Sequence, residues 1–440
     1  MSLSEDKLIR REFAKLSDQD ASYWEYRKSA AREGVHGLLQ YPAMMVPRMQ
    51  GDVLDVMLRV RPDIRAVLDP FVGSGTTMTE SMIRGRSFTG LDINPLAALT
   101  CEAKSHRFDS KSLHKKSMTV LARISADNDR AIDVDFPGLS KWFTARASVS
   151  LSKIRRGIQE EASVWARKIF WIVLAETIRQ TSNSRPSTFK LHVRPEREVV
   201  ALRDPLDVFN QLIVDACNRF AYHEQILLNR ELLAKGKYLK SANILCSDIK
   251  SNGGETLGIH DFLITSPPYG DNHSTVPYGQ FSFLALNWIP GVDRPGAKAL
   301  LSSTQAIDTE SLGGRRRGAQ RLTAELVKCS PAFKQFLAQI RPLGRKDLEA
   351  KVCSFVGDFS DAIGASLSAL APDSYLVWTL GNRTVGGISV PLVSICEQLQ
   401  RAYGLKYVTT VRRRIPSKRT PIRNSISQTM SEECLLVMRT

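Results

Sequence analysis

Val67-Leu68-Asp69-Pro70-Phe71-Val72-Gly73-Ser74-Gly75-Thr76-Thr77 is the stretch on which the reading of this chain turns. The apolar run Ala66, Val67, Leu68 predicts a buried strand, which breaks at Gly73 and Gly75 before Thr76, Thr77, Met78 and Glu80 open a helical pattern. Strand, glycine loop and helix start, in that order, let a ligand approach the backbone and leave free amides facing it. A second apolar strand, Ser87-Phe88-Thr89-Gly90-Leu91, ends on Asp92, 19 positions after Gly73. An acidic residue about 20 positions past such a loop suits the hydroxyl pair of a ribose, so the ligand should carry a nucleoside. A dinucleotide fits poorly: Met78 stands where a third small residue belongs, and little here would hold a pyrophosphate. With no recognisable hydride-transfer site either, a nicotinamide-linked oxidoreductase is disfavoured.

Working outward, Ala242-Asn243-Ile244-Leu245-Cys246-Ser247-Asp248 predicts a short strand ending in an acid, and Asp261-Phe262-Leu263-Ile264-Thr265 another that runs into Ser266-Pro267-Pro268-Tyr269-Gly270. In a doubly wound sheet the carboxyl ends of the strands line the ligand crevice, which brings both ends toward the glycine loop. Paired prolines lock the backbone and fix the direction of the Pro267 carbonyl. Alone, such a tetrapeptide is as readily a rigid turn. Its position after a glycine loop and two acidic strand ends is what gives it weight.

Asp69 to Thr77 taken whole resembles motif I of the S-adenosylmethionine-dependent amino-methyltransferases that modify exocyclic nitrogens of DNA bases, and Ser-Pro-Pro-Tyr resembles their motif IV. The resemblance implies S-adenosylmethionine as cofactor and double-stranded DNA as partner, in restriction-modification or related DNA marking; a cognate restriction endonuclease is a candidate companion on which the sequence itself is silent. It implies that Asp69 faces the methionine ammonium, that Pro70, Phe71, Gly73, Ser74, Gly75, Thr76 and Thr77 hold the methionine and ribose, and that Asp92, with Ile93 and Asn94, takes the ribose hydroxyls. Asp248 resembles motif III and would accept from the adenine amino group, although a strand-terminal Asp also caps a following helix. Tyr41-Pro42-Ala43-Met44-Met45-Val46-Pro47-Arg48 resembles motif X, a cofactor-side segment.

Ser266, Pro267, Pro268 and Tyr269 are the catalytic candidates. An exocyclic amine is a poor nucleophile because its lone pair is delocalised into the ring. Hydrogen bonds from its two protons to the Ser266 hydroxyl and the Pro267 carbonyl would favour a pyramidal nitrogen, and Tyr269 would stack on the extruded base. No thiolate is needed, and the loop has no cysteine. The serine form resembles that of enzymes acting on cytosine N4, so that is the target the resemblance implies; adenine N6 is the alternative. An RNA methyltransferase acting on a guanine amine shares the loop logic, but no separate RNA-capture domain precedes the glycine loop. A non-catalytic nucleic-acid binder on the same core is the reading from another class, and the intact loops argue against it.

The alternation of strands and helices implies an α/β fold, doubly wound, with a mostly parallel seven-stranded sheet whose last two strands form a hairpin-like pair. Residues 1–104 and 241–440 are assigned to the catalytic domain and 105–240 to a helical insertion, with patterns over 150–160 and 164–179. In the insertion, Phe189 with Arg185, Lys190 and Arg194 is a backbone-contacting candidate. A second insertion, basic and Gly/Arg-rich, covers 290–350 and includes Gly313-Gly314-Arg315-Arg316-Arg317-Gly318. The larger, helical one is favoured for reading DNA. Tyr23, Trp24 and Tyr26 are expected to pack as a lid, and His273 to be a loop histidine rather than a general base.

The chain has 440 residues, and 61 Lys and Arg against 45 Asp and Glu give a formal charge of +16, which favours a polyanionic partner. No apolar stretch reaches the roughly 18 residues of a membrane span, and the first residues lack the apolar core of a signal peptide, so a cytoplasmic, nucleoid-associated protein without membrane contact is expected. Seven scattered cysteines form neither CxxC pairs nor a disulfide framework, and no metal site is expected.

Overall fold

The computed structural model describes residues 2–20, 22–26, 32–270, 276–315, 319–415 and 431–440. His273, Arg316, Arg317 and Gly318 lie outside them. Seven strands build one sheet: β1 Ala66–Asp69, β2 Ser87–Leu91, β3 Ala242–Leu245, β4 His260–Thr265, β5 Leu370–Leu380, β6 Lys406–Arg414 and β7 Glu432–Arg439. Their order is β3-β2-β1-β4-β5-β7-β6. The joins from β3 to β5 are parallel, while β7 lies antiparallel between β5 and β6. The expected doubly wound sheet and terminal hairpin pair are both present.

The sequence dictates this layering. Val67, Leu68, Phe262, Leu263 and Ile264 are all fully buried, because parallel strands covered on both faces read as continuous apolar runs. Chain order runs outward from β1 through β2 to β3, then restarts at β4 on the other side of β1. That reversal is a topological switch point, and the loops leaving β1 and β4 flank the crevice it opens. The fold therefore sets the glycine loop and the Ser266 loop side by side.

Helices fill the chain between β2 and β3: Pro95–Ser105, Ser110–Ala126, Ala145–Gln159, Val164–Thr181 and Pro205–Asn229. The expected pattern over 164–179 falls inside one of them, and that over 150–160 matches another to within its last residue, Glu160, which follows the helix end. The basic residues suggest solvated helices, but Val164–Thr181 is buried through most of its length. Its middle, Ile169-Phe170-Trp171-Ile172-Val173-Leu174-Ala175, is apolar all round, so it serves as the inner helix of the layer. At the N-terminus Trp24 is buried against Phe13, with ring centres 5.8 Å apart, while the Tyr23 and Tyr26 hydroxyls both donate to Asp52 at 2.9 and 2.8 Å. These aromatics pack inward. Among the described residues no helix is long and apolar enough to cross a membrane, and no group of three or more His, Cys, Asp or Glu could hold a metal ion.

Candidate active site

The glycine loop takes its shape from two left-handed residues, Gly73 with φ +52° and Gly75 with φ +79°. A β-carbon at Gly75 would come within 2.9 Å of the Cys101 sulfur, so glycine is required for close packing as well as for conformation. Helix Pro95–Ser105 buttresses the loop from beneath. Cys101 Sγ donates to the Gly73 carbonyl at 3.3 Å, and the buried Lys104 Nζ donates to the Ser74 carbonyl at 2.7 Å. Burial pulls the Lys104 ammonium down to about 8.

Two carboxylates organise the same pole. Asp92 accepts from the Gly73 amide through Oδ2 at 3.0 Å and from the Asn94 amide through Oδ1 at 2.8 Å. Enclosure by protein pushes its pKa up to about 6, against the lowering effect of those amides. Asp69 is fully buried below the loop, where Oδ1 accepts from the Thr265 hydroxyl at 2.6 Å and the Phe71 amide at 3.1 Å. Burial pushes it up to about 7. Its Oδ2 is buried with no partner within the protein.

The Thr265–Asp69 bond matters because Thr265 immediately precedes Ser266. It ties the carboxyl end of β4 to that of β1, hence the catalytic loop to the glycine loop. Beyond Thr265, Ser266 Oγ lies 3.3 Å from the Tyr269 hydroxyl, which donates to Glu433 Oε1 at 3.2 Å. Burial, followed by the Glu433 charge, holds the Tyr269 hydroxyl well above its ordinary pKa.

One cleft, open to solvent, runs between these loops. Pro70, Phe71, Gly73, Ser74 and Thr76 line it from the glycine loop, Asp92, Ile93 and Asn94 from the end of β2, Asp248 from the end of β3, and Ser266 and Pro268 from the end of β4. Asp69, Gly75, Thr77, Pro267 and Tyr269 stand behind these walls. Asp248 also caps the short helix Ile249–Ser251 by accepting from the Lys250 amide at 2.9 Å. Asn94 caps helix Pro95–Ser105 and donates to Tyr41 and Ser282 at 2.9 and 2.8 Å.

Residues outside the assigned site set complete the cleft, Tyr278 among them from a polar-aromatic stretch, 276–281, whose sequence suggests a loop closing over the base. Tyr278 stacks on Tyr41 with ring centres 5.7 Å apart, and both line the cavity. Ile307, Glu310, Ser311 and Leu312 form another wall. The polar-aromatic stretch around Tyr278 was a visible signal; 307–312 carries none, because its place depends on a hydrogen bond from the Gly279 amide to Asp308 at 3.0 Å.

The cavity fits a cationic nucleoside ligand. Asp92 opens onto it, the unpartnered Asp69 oxygen lies beneath its floor, and Ile93, Ile249 and Leu312 give apolar surface for a base. A seven-stranded sheet of this order, with a glycine loop after its first strand, is the frame of the S-adenosylmethionine-dependent methyltransferases.

No protein-family model matches the chain. Over 457 aligned residues it is 28% identical to the Type II methyltransferase M.MvaI of Kocuria varians, covering 98% of this chain and 96% of that protein. A second relative, the Type II methyltransferase M.MjaII of Methanocaldococcus jannaschii, is 29% identical over 119 residues, 27% of this chain and 22% of its own length. The rRNA methyltransferase aviRa from Streptomyces viridochromogenes aligns over 93% of this chain and 90% of its own, at 11% identity, but a TM-score of 0.28 is too shallow to inform the fold. Over nearly its whole length this chain is similar to a Type II methyltransferase, and methyl transfer from S-adenosylmethionine is the activity these relatives support.

Proposed function

We propose that the enzyme methylates the exocyclic N4 of a cytosine extruded from duplex DNA at a short specific sequence, as the modifying partner of a restriction endonuclease. One observation carries this reading: a single cleft is lined by Gly73, Ser74 and Asp92 on one side and by Ser266 and Pro268 on the other, with Thr265 bonded to Asp69 between them.

S-adenosylmethionine supplies an electrophilic methyl group. Asp69, Asp92, Asp248 and the residues of the glycine loop hold it, with Asp69 compensating its ammonium and Asp92 receiving its ribose hydroxyls. The Ser266 oxygen and the Pro267 carbonyl accept the two amine protons, so the nitrogen lone pair turns toward the methyl; this is positioning with oriented dipoles. Pro268 stiffens the loop, and the Tyr269 hydroxyl backs Ser266 from behind the cleft wall. The side chain at 266 supports cytosine over adenine. The loop bearing Arg185, Phe189 and Lys190 supports a DNA contact from the helical insertion, since Phe189 packs edge-on against Phe281, 6.1 Å between centres, on the helix that begins at Tyr278.

The test is to incubate the protein with duplex DNA, and in parallel with RNA, and methyl-labelled S-adenosylmethionine, digest to nucleosides and weigh the labelled product. N4-methyl-2′-deoxycytidine is the expected result. N6-methyl-2′-deoxyadenosine would replace the target base, and label confined to RNA would overturn the reading.

A further inference from the structure

The hydrogen-bonded chain that starts at Ser266 does not end at Tyr269. We propose that Glu433, from the far end of the sequence, is a positioning residue for methyl transfer: acting through the Tyr269 hydroxyl, it fixes the polarity of the Ser266 hydroxyl and takes up the proton that the amine sheds. This deepens the role assigned to Ser266 above and rests on that reading.

The direction of the chain follows from what each group can do. An ionised carboxylate only accepts hydrogen bonds. The Tyr269 O–H therefore points at Glu433 Oε1, 3.2 Å away, and its oxygen is left to accept from Ser266 O–H across 3.3 Å. With its proton committed there, Ser266 presents lone pairs to the cleft, where an amine N–H must be received. Without the carboxylate, the serine hydroxyl is free to rotate and donate to the amine nitrogen, which would occupy the lone pair that has to attack.

Glu433 is held for this task. It sits on β7 directly opposite Arg413 of β6, whose Nε lies 3.0 Å from Glu433 Oε2. Arg413 is itself 7% exposed and donates to Met49 Sδ at 3.1 Å. The ion pair balances the carboxylate charge and aims the other oxygen at Tyr269. Burial keeps the tyrosine protonated, so it passes a proton rather than holding a charge.

The proton account closes. As the nitrogen–carbon bond forms and the carbon–sulfur bond breaks, the amine nitrogen becomes cationic and sulfur leaves as a neutral thioether. The nitrogen gives a proton to Ser266 Oγ, the Ser266 proton moves to the Tyr269 oxygen, and the Tyr269 proton moves to Glu433. The N-methylated, still protonated exocyclic ammonium on a base ring is a far stronger acid than a carboxylic acid, so transfer runs downhill even beside Arg413. The Glu433 side chain is 17% exposed, which gives the proton an exit to water.

The experiment uses the full-length protein with Glu433→Gln, Tyr269→Phe and the double variant. Three quantities are read: the single-turnover methylation rate on a target duplex, S-adenosylmethionine affinity by calorimetry, and base extrusion by fluorescence of 2-aminopurine at the target position. Each single variant is expected to slow transfer about 100-fold, the scale of a lost proton-transfer group, with affinity and extrusion within about twofold of wild type. The double variant should be no slower than the slower single. Transfer by Glu433→Gln within about threefold of wild type overturns the proposal, and so does a rate loss matched by losses of affinity or extrusion. Should Glu433→Gln fail to fold because Arg413 is unpaired, Tyr269→Phe cuts the same chain and leaves the ion pair alone. A wild type that methylates no DNA amine removes the underlying reading; an active wild type with an equally active Glu433→Gln removes this inference alone.

Discussion

The two loops that meet in the cleft are held by opposite means. The glycine loop is fastened locally: Asp92 takes an amide of the loop, Cys101 and Lys104 take its carbonyls, and all three lie within about thirty residues of it in sequence. The Ser266 loop is held from afar. Thr265 reaches Asp69 across 196 residues and Tyr269 reaches Glu433 across 164. A cofactor pole built from neighbours and a catalytic pole built from distant strands should fail differently when disturbed.

The largest separation between them comes from Ser266→Ala. Removing one oriented group beside a reacting centre costs on the order of 100-fold to 1,000-fold in turnover. Steady-state turnover should fall by that much while S-adenosylmethionine affinity, read by calorimetry, stays within about twofold. Equal losses in both would erase the distinction between the poles.

Gly75→Val inverts that pattern. The left-handed backbone at φ +79° disfavours any side chain, and a branched one collides with Cys101. Strain and overpacking of about 2–4 kcal/mol are expected, with cofactor affinity down by at least ~10-fold. Thermal unfolding with and without S-adenosylmethionine measures both. A ligand-induced shift as large as that of the wild type would count against the loop as the cofactor cradle.

Thr265→Val tests the joint itself. The substitution keeps shape but leaves a buried Asp69 oxygen without its 2.6 Å donor, a cost of about 1–3 kcal/mol in denaturant unfolding. Because the bond spans both loops, turnover and cofactor affinity should fall together, each by less than for the two preceding variants. Loss of only one would show that the loops are positioned independently.

The same contrast explains what could be read without a structure. The contacts from Asp92, Cys101 and Lys104 that shape the glycine loop lie within one strand–loop–helix–strand–helix unit, so residue type and spacing were enough to single out Gly73, Gly75 and Asp92. Ser266 and Pro268 were legible because Pro-Pro stiffens a strand end whatever surrounds it. Glu433 was not, since its register opposite Arg413 is fixed only when the hairpin pairs. Likewise, nothing local in 307–312 predicts a cavity wall, and the insertion helix Val164–Thr181 looked solvated because its basic ends obscured an apolar middle.

The smallest expected effect is a pH dependence confined to the cofactor pole. Burial raises Asp69 to about 7 and Asp92 to about 6, each from 3.8, so the folded state favours their neutral forms. For a raised acid, the stabilisation is complete below the unfolded value and is lost as pH climbs through the folded one; the free protein should lose stability between about pH 4 and 7. A cationic ligand needs the charged forms, so its affinity should change in the opposite sense and strengthen from about pH 5 to 7. Above about 8 the ligand's own α-amine loses its proton and the gain reverses. Calorimetry across that span should trace a shallow bell of a few-fold amplitude, and Asp69→Asn should remove its upper rising step while leaving the step near pH 6. A flat profile would mean that the two carboxylates do not meet the ligand's positive charge, and the cofactor pole would then be held by shape alone.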